Sequence, residues 1–283
     1  MSETIVGTLL VEGTAALRAS ADEAVARGEA ELLLRHALGV SRAWLFAHGD
    51  DEVTPALAGQ FRCYCSRRAA GEPIAYIMGR REFFSLDLAV TSAVLIPRPE
   101  TELLVELALT RIDEGATASI ADLGTGSGAI ALAVAHARPR AQVLATDASL
   151  AALAVARENA ERLRIDNVEF AQGDWCAALG ARTFDVIVSN PPYIAAGDRH
   201  LGEGDLRFEP GSALASGVDG LDAIRIIVHD ARAHLRSGGT LLFEHGYDQG
   251  AACRTLLEQA QYGEVFTAVD LEGRDRVSGG RLR

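Results

Sequence analysis

From residue 118 onward the chain repeats one unit: an apolar run, a polar or glycine-bearing loop, then a helical stripe. That repetition restricts the fold more than any other feature. SIADLG reads as a strand, SGAIALAVAHA as a helix, AQVLATD as a strand and SLAALAVARENAERLR as a helix. NVEFAQGD, FDVIVSN and GTLLFEHG read as further strands, with a helix near 220–236 before the last. Strands that alternate with helices build a parallel sheet covered on both faces. Ligands of such sheets bind beyond the C-terminal strand ends, at a switch point. Asp122, Asp147, Asp174, Asn190 and Glu244 collect at those ends.

The first 70 or so residues have a different rhythm and read as helical. Between Gly28 and Gly39, Leu32, Leu33, His36 and Ala37 share a stripe, and Gly39 suits a C-terminal cap. Thr54-Pro55 reads as an N-cap with proline at the first helical position, opening a helix to about Ala70. Gly71-Glu72-Pro73 breaks it. Residues 82–96, with Phe83, Phe84, Leu86, Leu88 and Val90, read as a hairpin joining two domains, and Pro97 and Pro99 lead into a helix near Glu100. A length of 283 residues is ample for a helical domain of residues 1–85, a linker to about 98, and an α/β domain of 99–283.

Between the first strand and its helix stands Asp122-Leu123-Gly124-Thr125-Gly126-Ser127-Gly128. Glycines let the backbone approach a ligand, and the helix start beyond them presents free N–H groups. A glycine turn alone is also just a tight connection. Here Asp147 follows 23 residues after Gly124 at the next strand end, where a carboxylate can accept both hydroxyls of a ribose. A nicotinamide dinucleotide and S-adenosylmethionine both fit, since Gly124-x-Gly126-x-x-Ala129 satisfies the relaxed dinucleotide fingerprint. Trp175, after Asp174, offers a ring for an adenine or is an ordinary packed indole.

FDVIVSNPPYI bears on that choice. A strand ending in Asn190 beside the glycine-loop strand would hold out an amide oxygen, with the Pro191 carbonyl next to it. Two acceptors can fix an NH2 group whose nitrogen must receive a methyl. Pro191 and Pro192 stiffen the turn, suiting a site that holds atoms to within about half an ångström. Tyr193 supplies a flat wall. Hydride transfer has no use for this arrangement, and a cofactor-binding scaffold without catalysis would have little reason to keep all four residues.

The formal charge of −12, from 39 acidic and 27 basic side chains, opposes binding nucleic acid through many phosphate contacts. Cys63, Cys65, Cys176 and Cys253 form no C-x-x-C pair and read as free thiols. His229, His234 and His245 have no metal-ligand spacing, so no metal is expected. Arg67-Arg68 and Arg80-Arg81 read as surface charges. Glu3, Glu12, Asp22 and Glu23 do not suit a signal peptide, and no apolar run reaches about 18 residues. A soluble, cytoplasmic monomer is expected, with no membrane partner.

These residues carry a resemblance. With Gly71-Glu72-Pro73-Ile74-Ala75-Tyr76, Leu95-Ile96-Pro97-Arg98-Pro99-Glu100-Thr101, Asp122 to Gly128, Asp147 and Ser189 to Ile194, the chain resembles class I S-adenosylmethionine-dependent methyltransferases. Arg207-Phe208-Glu209-Pro210, Glu244-His245-Gly246 and Gly273 to Arg281 extend the match over most of the chain. NPPY is shared with nucleic-acid amino-methyltransferases. The PRPET stretch, RFEP and the helical domain resemble the bacterial glutamine methyltransferases of peptide chain release factors.

The resemblance implies a doubly wound, seven-stranded, Rossmann-like α/β sheet with a small helical domain. It implies S-adenosylmethionine at Gly124, Thr125, Gly126, Ser127, Gly128, Asp147, Trp175 and Asn190. Asn190, Pro191, Pro192 and Tyr193 would hold the substrate amide, the Gly-Gly-Gln glutamine of a class I release factor, and the helical domain would dock that protein. A ribosomal-protein glutamine or a nucleic-acid base is the alternative acceptor. Gly279 departs from the pattern, standing where a bulkier residue is expected after Ser278.

Overall fold

The computed structural model describes residues 4–18 and 22–283, so residues 1–3 and 19–21 of the expected helical domain lie outside the described residues. The chain divides into two compact units, Met1–Gly79 and Arg80–Arg283.

The first unit contains α1 (Val6–Leu17), α2 (Glu23–Leu38), α3 (Arg42–Ala47), α4 (Pro55–Ala69) and α5 (Ile74–Met78). Its core is built on Leu9, Leu17, Leu33, Leu34 and Phe61. The Thr54 hydroxyl accepts from Leu57 N at the head of α4, and Gly39 closes α2 with φ +68°, as capping chemistry requires. α2 extends beyond the stripe between Gly28 and Gly39, starting at Glu23. Asp22 takes the N–H groups of Ala24 and Val25 at 3.0 Å, and with those donors satisfied the helix runs straight through Gly28. Its buried stripe is Ala26, Ala30, Leu33, Leu34 and Ala37, while Leu32 and His36 are half-buried.

The second unit opens with a hairpin, β1 (Arg80–Phe83) against β2 (Leu86–Ala89). Phe84 and Ser85 turn it with φ of +49° and +62°, the signs that a twisted two-residue turn needs. After a 3₁₀ turn at Pro99–Thr101 the order is α6 (Glu102–Leu109), β3 (Ser119–Leu123), α7 (Ala129–Ala137), β4 (Gln142–Asp147), α8 (Leu150–Leu163) and β5 (Val168–Gln172). Then come β6 (Phe184–Ser189), α9 (Asp222–Asp230), β7 (Leu235–Glu244), α10 (Gly250–Gln259), β8 (Gly263–Val269) and β9 (Asp275–Arg281). Asn159 of α8 ties the hairpin to the glycine loop, accepting from Ala89 N and donating to the Ala89 and Ser127 carbonyls.

These strands form the seven-stranded, doubly wound sheet, in the order β5-β4-β3-β6-β7-β9-β8. The first five are parallel and the β7–β9–β8 edge is antiparallel. The order reverses between β3 and β6, so the glycine-loop strand and the strand ending at Asn190 are neighbours, Leu123 opposite Ser189. The central strands β3, β4, β6 and β7 each feed two cores. Ile120, Val143, Val186 and Val188 face one helical layer, while Ala121, Leu144, Ile187 and Phe243 face the other. Burial on both sides is why these strands are apolar without alternation.

The Gly279 departure has a steric reason. A Cβ there would lie 2.6 Å from Leu242 Cδ2 and 2.7 Å from the Leu241 carbonyl, so the neighbouring strand fills the space a larger residue would need. β9 is continuous through it.

Candidate active site

At the C-terminal end of β3 a fully buried carboxylate organises the glycine loop. Asp122 Oδ2 accepts from Thr125 Oγ1 at 2.6 Å and from Ala131 N at 3.1 Å. Oδ1 finds no donor among the described residues. Burial pushes this carboxyl up to about 7; the two hydrogen bonds pull it down and the nearby Asp147 charge raises it further. Gly124 N and Thr125 N both donate to Thr146 O, at 2.9 and 2.8 Å, which pins the loop against β4. Gly124 has φ +73°, and a Cβ there would sit 3.2 Å from the Trp175 ring. Glycine allows the indole to lie over the loop.

Asp147 ends β4, half-buried. Its Oδ2 accepts from Gly126 N at 2.9 Å and its Oδ1 from Ser149 N at 2.8 Å. Each oxygen keeps a further lone pair, so the carboxylate is oriented but still able to accept. Trp175, with φ +44°, starts a 3₁₀ turn after β5 and is half-buried.

On the other side of the switch point stands Asn190, half-buried, whose Nδ2 donates to Thr101 Oγ1 at 3.1 Å. Thr101 Oγ1 in turn donates to Glu244 Oε2 at 2.6 Å, and Tyr193 donates its hydroxyl to Glu244 Oε1 at 3.1 Å. Glu244 is 1% exposed; burial raises its pKa, and the two hydroxyls and Arg276 act against that rise. Burial likewise raises Tyr193, with Glu244 reinforcing it. The Tyr193 carbonyl is taken by Gln249 Nε2 at 3.0 Å.

Between these groups lies a cleft of about 300 Å³. Gly124 to Ser127, Asp147, Trp175, Asn190 and Pro192 line it. Gly128, Pro191 and Tyr193 do not; Pro191 is buried, and a Cβ on Gly128 would meet Leu132 and Ala156. Thr101 also lines the cleft, and a further wall is formed by residues 93–95, Pro97 and Arg98 with Pro210, Ser212 and Ala213. Glu209, 6% exposed, ties that wall together, accepting from Ile96 N at 3.1 Å and pairing with Arg98. Sequence reasoning gave no role to Thr101, Glu244, Glu209 or Arg98. The available signal was that each belongs to a stretch marking the resemblance.

Residues 8–79 match the family model described as PrmC N-terminal domain, and residues 99–203 match the one described as Methyltransferase small domain. The Release factor glutamine methyltransferase of Xylella fastidiosa (strain Temecula1) is 58% identical, over 94% of this chain and 97% of that one. That of Escherichia coli (strain K12) is 46% identical, over 90% and 92%. Among solved structures, a methyltransferase from Pyrococcus furiosus shares the fold at TM-score 0.53 and 20% identity, over 76% of this chain and 96% of that one. Identity of this extent along nearly the whole length leaves one placement: the chain belongs to the release factor glutamine methyltransferase family.

Proposed function

We propose that the protein transfers a methyl group from S-adenosylmethionine to the side-chain amide nitrogen of the Gly-Gly-Gln glutamine in class I peptide chain release factors. The observation that carries this reading is the orientation of Asn190. Its Nδ2 is engaged by Thr101, which leaves Oδ1 as the acceptor at the cleft.

The residues of the cleft fit the cofactor. Asp147 lines the cleft and retains free lone pairs, a Cβ on Gly126 would meet nothing within 4 Å, and the Trp175 ring stands over Gly124. The Gly124–Gly128 loop would hold the methionine part, Asp147 the ribose and Trp175 the adenine. When bound, S-adenosylmethionine supplies a methyl group activated on a sulfonium.

The protein supplies alignment. An amide nitrogen is a weak nucleophile, and orienting it correctly is worth roughly 7–11 kcal/mol of barrier. Asn190 Oδ1 would accept one amide hydrogen, and the Pro191 carbonyl the other once the substrate enters the turn, since Pro191 does not line the ligand-free cleft. Both would accept more strongly as positive charge develops on nitrogen. Pro191 and Pro192 keep the two acceptors in register. Tyr193, its hydroxyl held by Glu244, cannot swing away. The surplus proton leaves to water. The helical part, to about residue 85, docks the protein substrate, and the enzyme works as a cytoplasmic monomer. No helix among the described residues is long and apolar enough to cross a membrane.

The test is methyl transfer from labelled S-adenosylmethionine to purified release factor, beside one whose Gly-Gly-Gln glutamine is replaced. Label on the intact protein alone supports the reading. Label on both, or on neither, overturns it. Asn190→Ala should lower turnover roughly 100- to 1,000-fold, the loss typical of removing one stabilising contact at the reacting centre.

A further inference from the structure

Thr101 lines the cleft beside Asn190 and Glu244 lies behind it, outside the lining, joined to Asn190 through the Thr101 hydroxyl. Thr101 has one hydroxyl proton, and at 2.6 Å it belongs to the Glu244 carboxylate. Toward Asn190, 3.1 Å away, the Thr101 oxygen can therefore only accept, and only the Nδ2 end of the amide can face it. Glu244 accepts a second hydrogen bond, from the Tyr193 hydroxyl at 3.1 Å, so both of its oxygens act as acceptors. The charge of Arg276 on β9 favours the ionised form of the same carboxylate, and Arg276 is itself paired with Asp270 at 3.1 Å.

We propose that Glu244 and Thr101 are positioning residues that set the polarity of the methyl-acceptor site. The inference rests on the amide-methylation reading and extends it to substrate choice. With Oδ1 turned to the cleft, the site offers acceptors to an NH2 group and repels a carboxylate, so glutamine is chosen over glutamate. Were Asn190 reversed, its N–H groups would meet those of the substrate. The proton chain from Asn190 through Thr101 to Glu244 prevents that reversal. It also fixes the Tyr193 ring through the same carboxylate.

Three substitutions test this. Thr101→Val keeps the shape and removes the hydroxyl. Thr101→Ser keeps the hydroxyl. Glu244→Gln turns a double acceptor into a group that can donate to Thr101, freeing Thr101 to donate to Asn190. Thr101→Val and Glu244→Gln should lower kcat about 100-fold, the loss produced by a misplacement of about 1 Å. S-adenosylhomocysteine affinity, measured by calorimetry, should not change, and Thr101→Ser should restore turnover. Thr101→Val within twofold of the parent, or Thr101→Ser as impaired as Thr101→Val, would overturn the assignment.

A second readout does not depend on the substrate. The side-chain amide resonances of Asn190 in ¹⁵N-labelled protein should move in Thr101→Val and return in Thr101→Ser. Unmoved resonances would sink the positioning role even in an active enzyme. A parent enzyme that labels no release factor would instead refute the proposed reaction, with the resonances still judging the proton chain.

Discussion

Asp122→Asn should change how stability depends on pH, and the structure gives both sign and size. The carboxyl is fully buried with one oxygen lacking a donor, and it is pushed up to about 7 from an ordinary 3.8. Between those two values the folded protein holds a proton on Asp122 that the unfolded chain has released. This contribution to stability is therefore fully present below 3.8, falls as pH rises, and is gone above about 7. At about 1.4 kcal/mol per pKa unit the full effect is about 4 kcal/mol, of which about 2.5 kcal/mol falls between pH 5 and pH 8. Asparagine has a cost of its own, since its NH2 lacks a partner, but that cost does not titrate. Urea denaturation of both ligand-free proteins at pH 5 and pH 8 isolates the group, because every other titration is shared. The variant should gain on the parent by about 2.5 kcal/mol over that interval. A difference that stays constant to within about 0.5 kcal/mol, or moves the other way, would refute the claim that an under-satisfied charge sits there.

Two further substitutions probe the cofactor side of the cleft. Asp147→Ala removes a carboxylate already aimed by Gly126 N and Ser149 N, and S-adenosylhomocysteine affinity should fall roughly 10- to 100-fold, the worth of hydrogen bonds to a charged acceptor. An unchanged affinity by calorimetry would move the ribose elsewhere. Gly124→Ala forces φ +73° on a residue with a Cβ and drives that atom toward the Trp175 ring. It should cost about 1–2 kcal/mol in thermal unfolding and weaken product binding as well. Wild-type values for both would show that the indole does not lie where its contact with the loop puts it.

Features of the fold fixed by local chemistry could be read from the residues in sequence. Strand and helix alternate from residue 118 because each segment carries its own apolar pattern, and the adjacency of β3 and β6 follows from the doubly wound order. Thr54-Pro55 and Gly39 are likewise local, since a cap involves residues within one turn. Boundaries were less legible. β7 begins at Leu235, before the run GTLLFEHG, because Leu235 pairs with Phe184 ahead of a register shift that the apolar pattern does not reveal. The helix after PRPET begins at Glu102 rather than Glu100, the intervening turn being 3₁₀.

The site divides along the same line. Gly124 to Ser127, Asp147 and Asn190 carry chemistry in the residue type itself, at strand ends that the topology brings together. Thr101 and Glu244 do not, since a threonine beside a proline turn and a glutamate at a strand end are ordinary until they meet. They lie 143 residues apart, Asn190 is 89 from Thr101, and Glu209 reaches Ile96 across 113. Hydrogen bonds of that reach are formed by tertiary packing, and no periodicity encodes them. Their physical consequence still follows from counting protons. A buried carboxylate between two hydroxyls must accept from both, so the threonine beyond it has only lone pairs left for Asn190. The amide at the end of FDVIVSN is thereby turned by a residue of another strand, and the two prolines after it keep it turned.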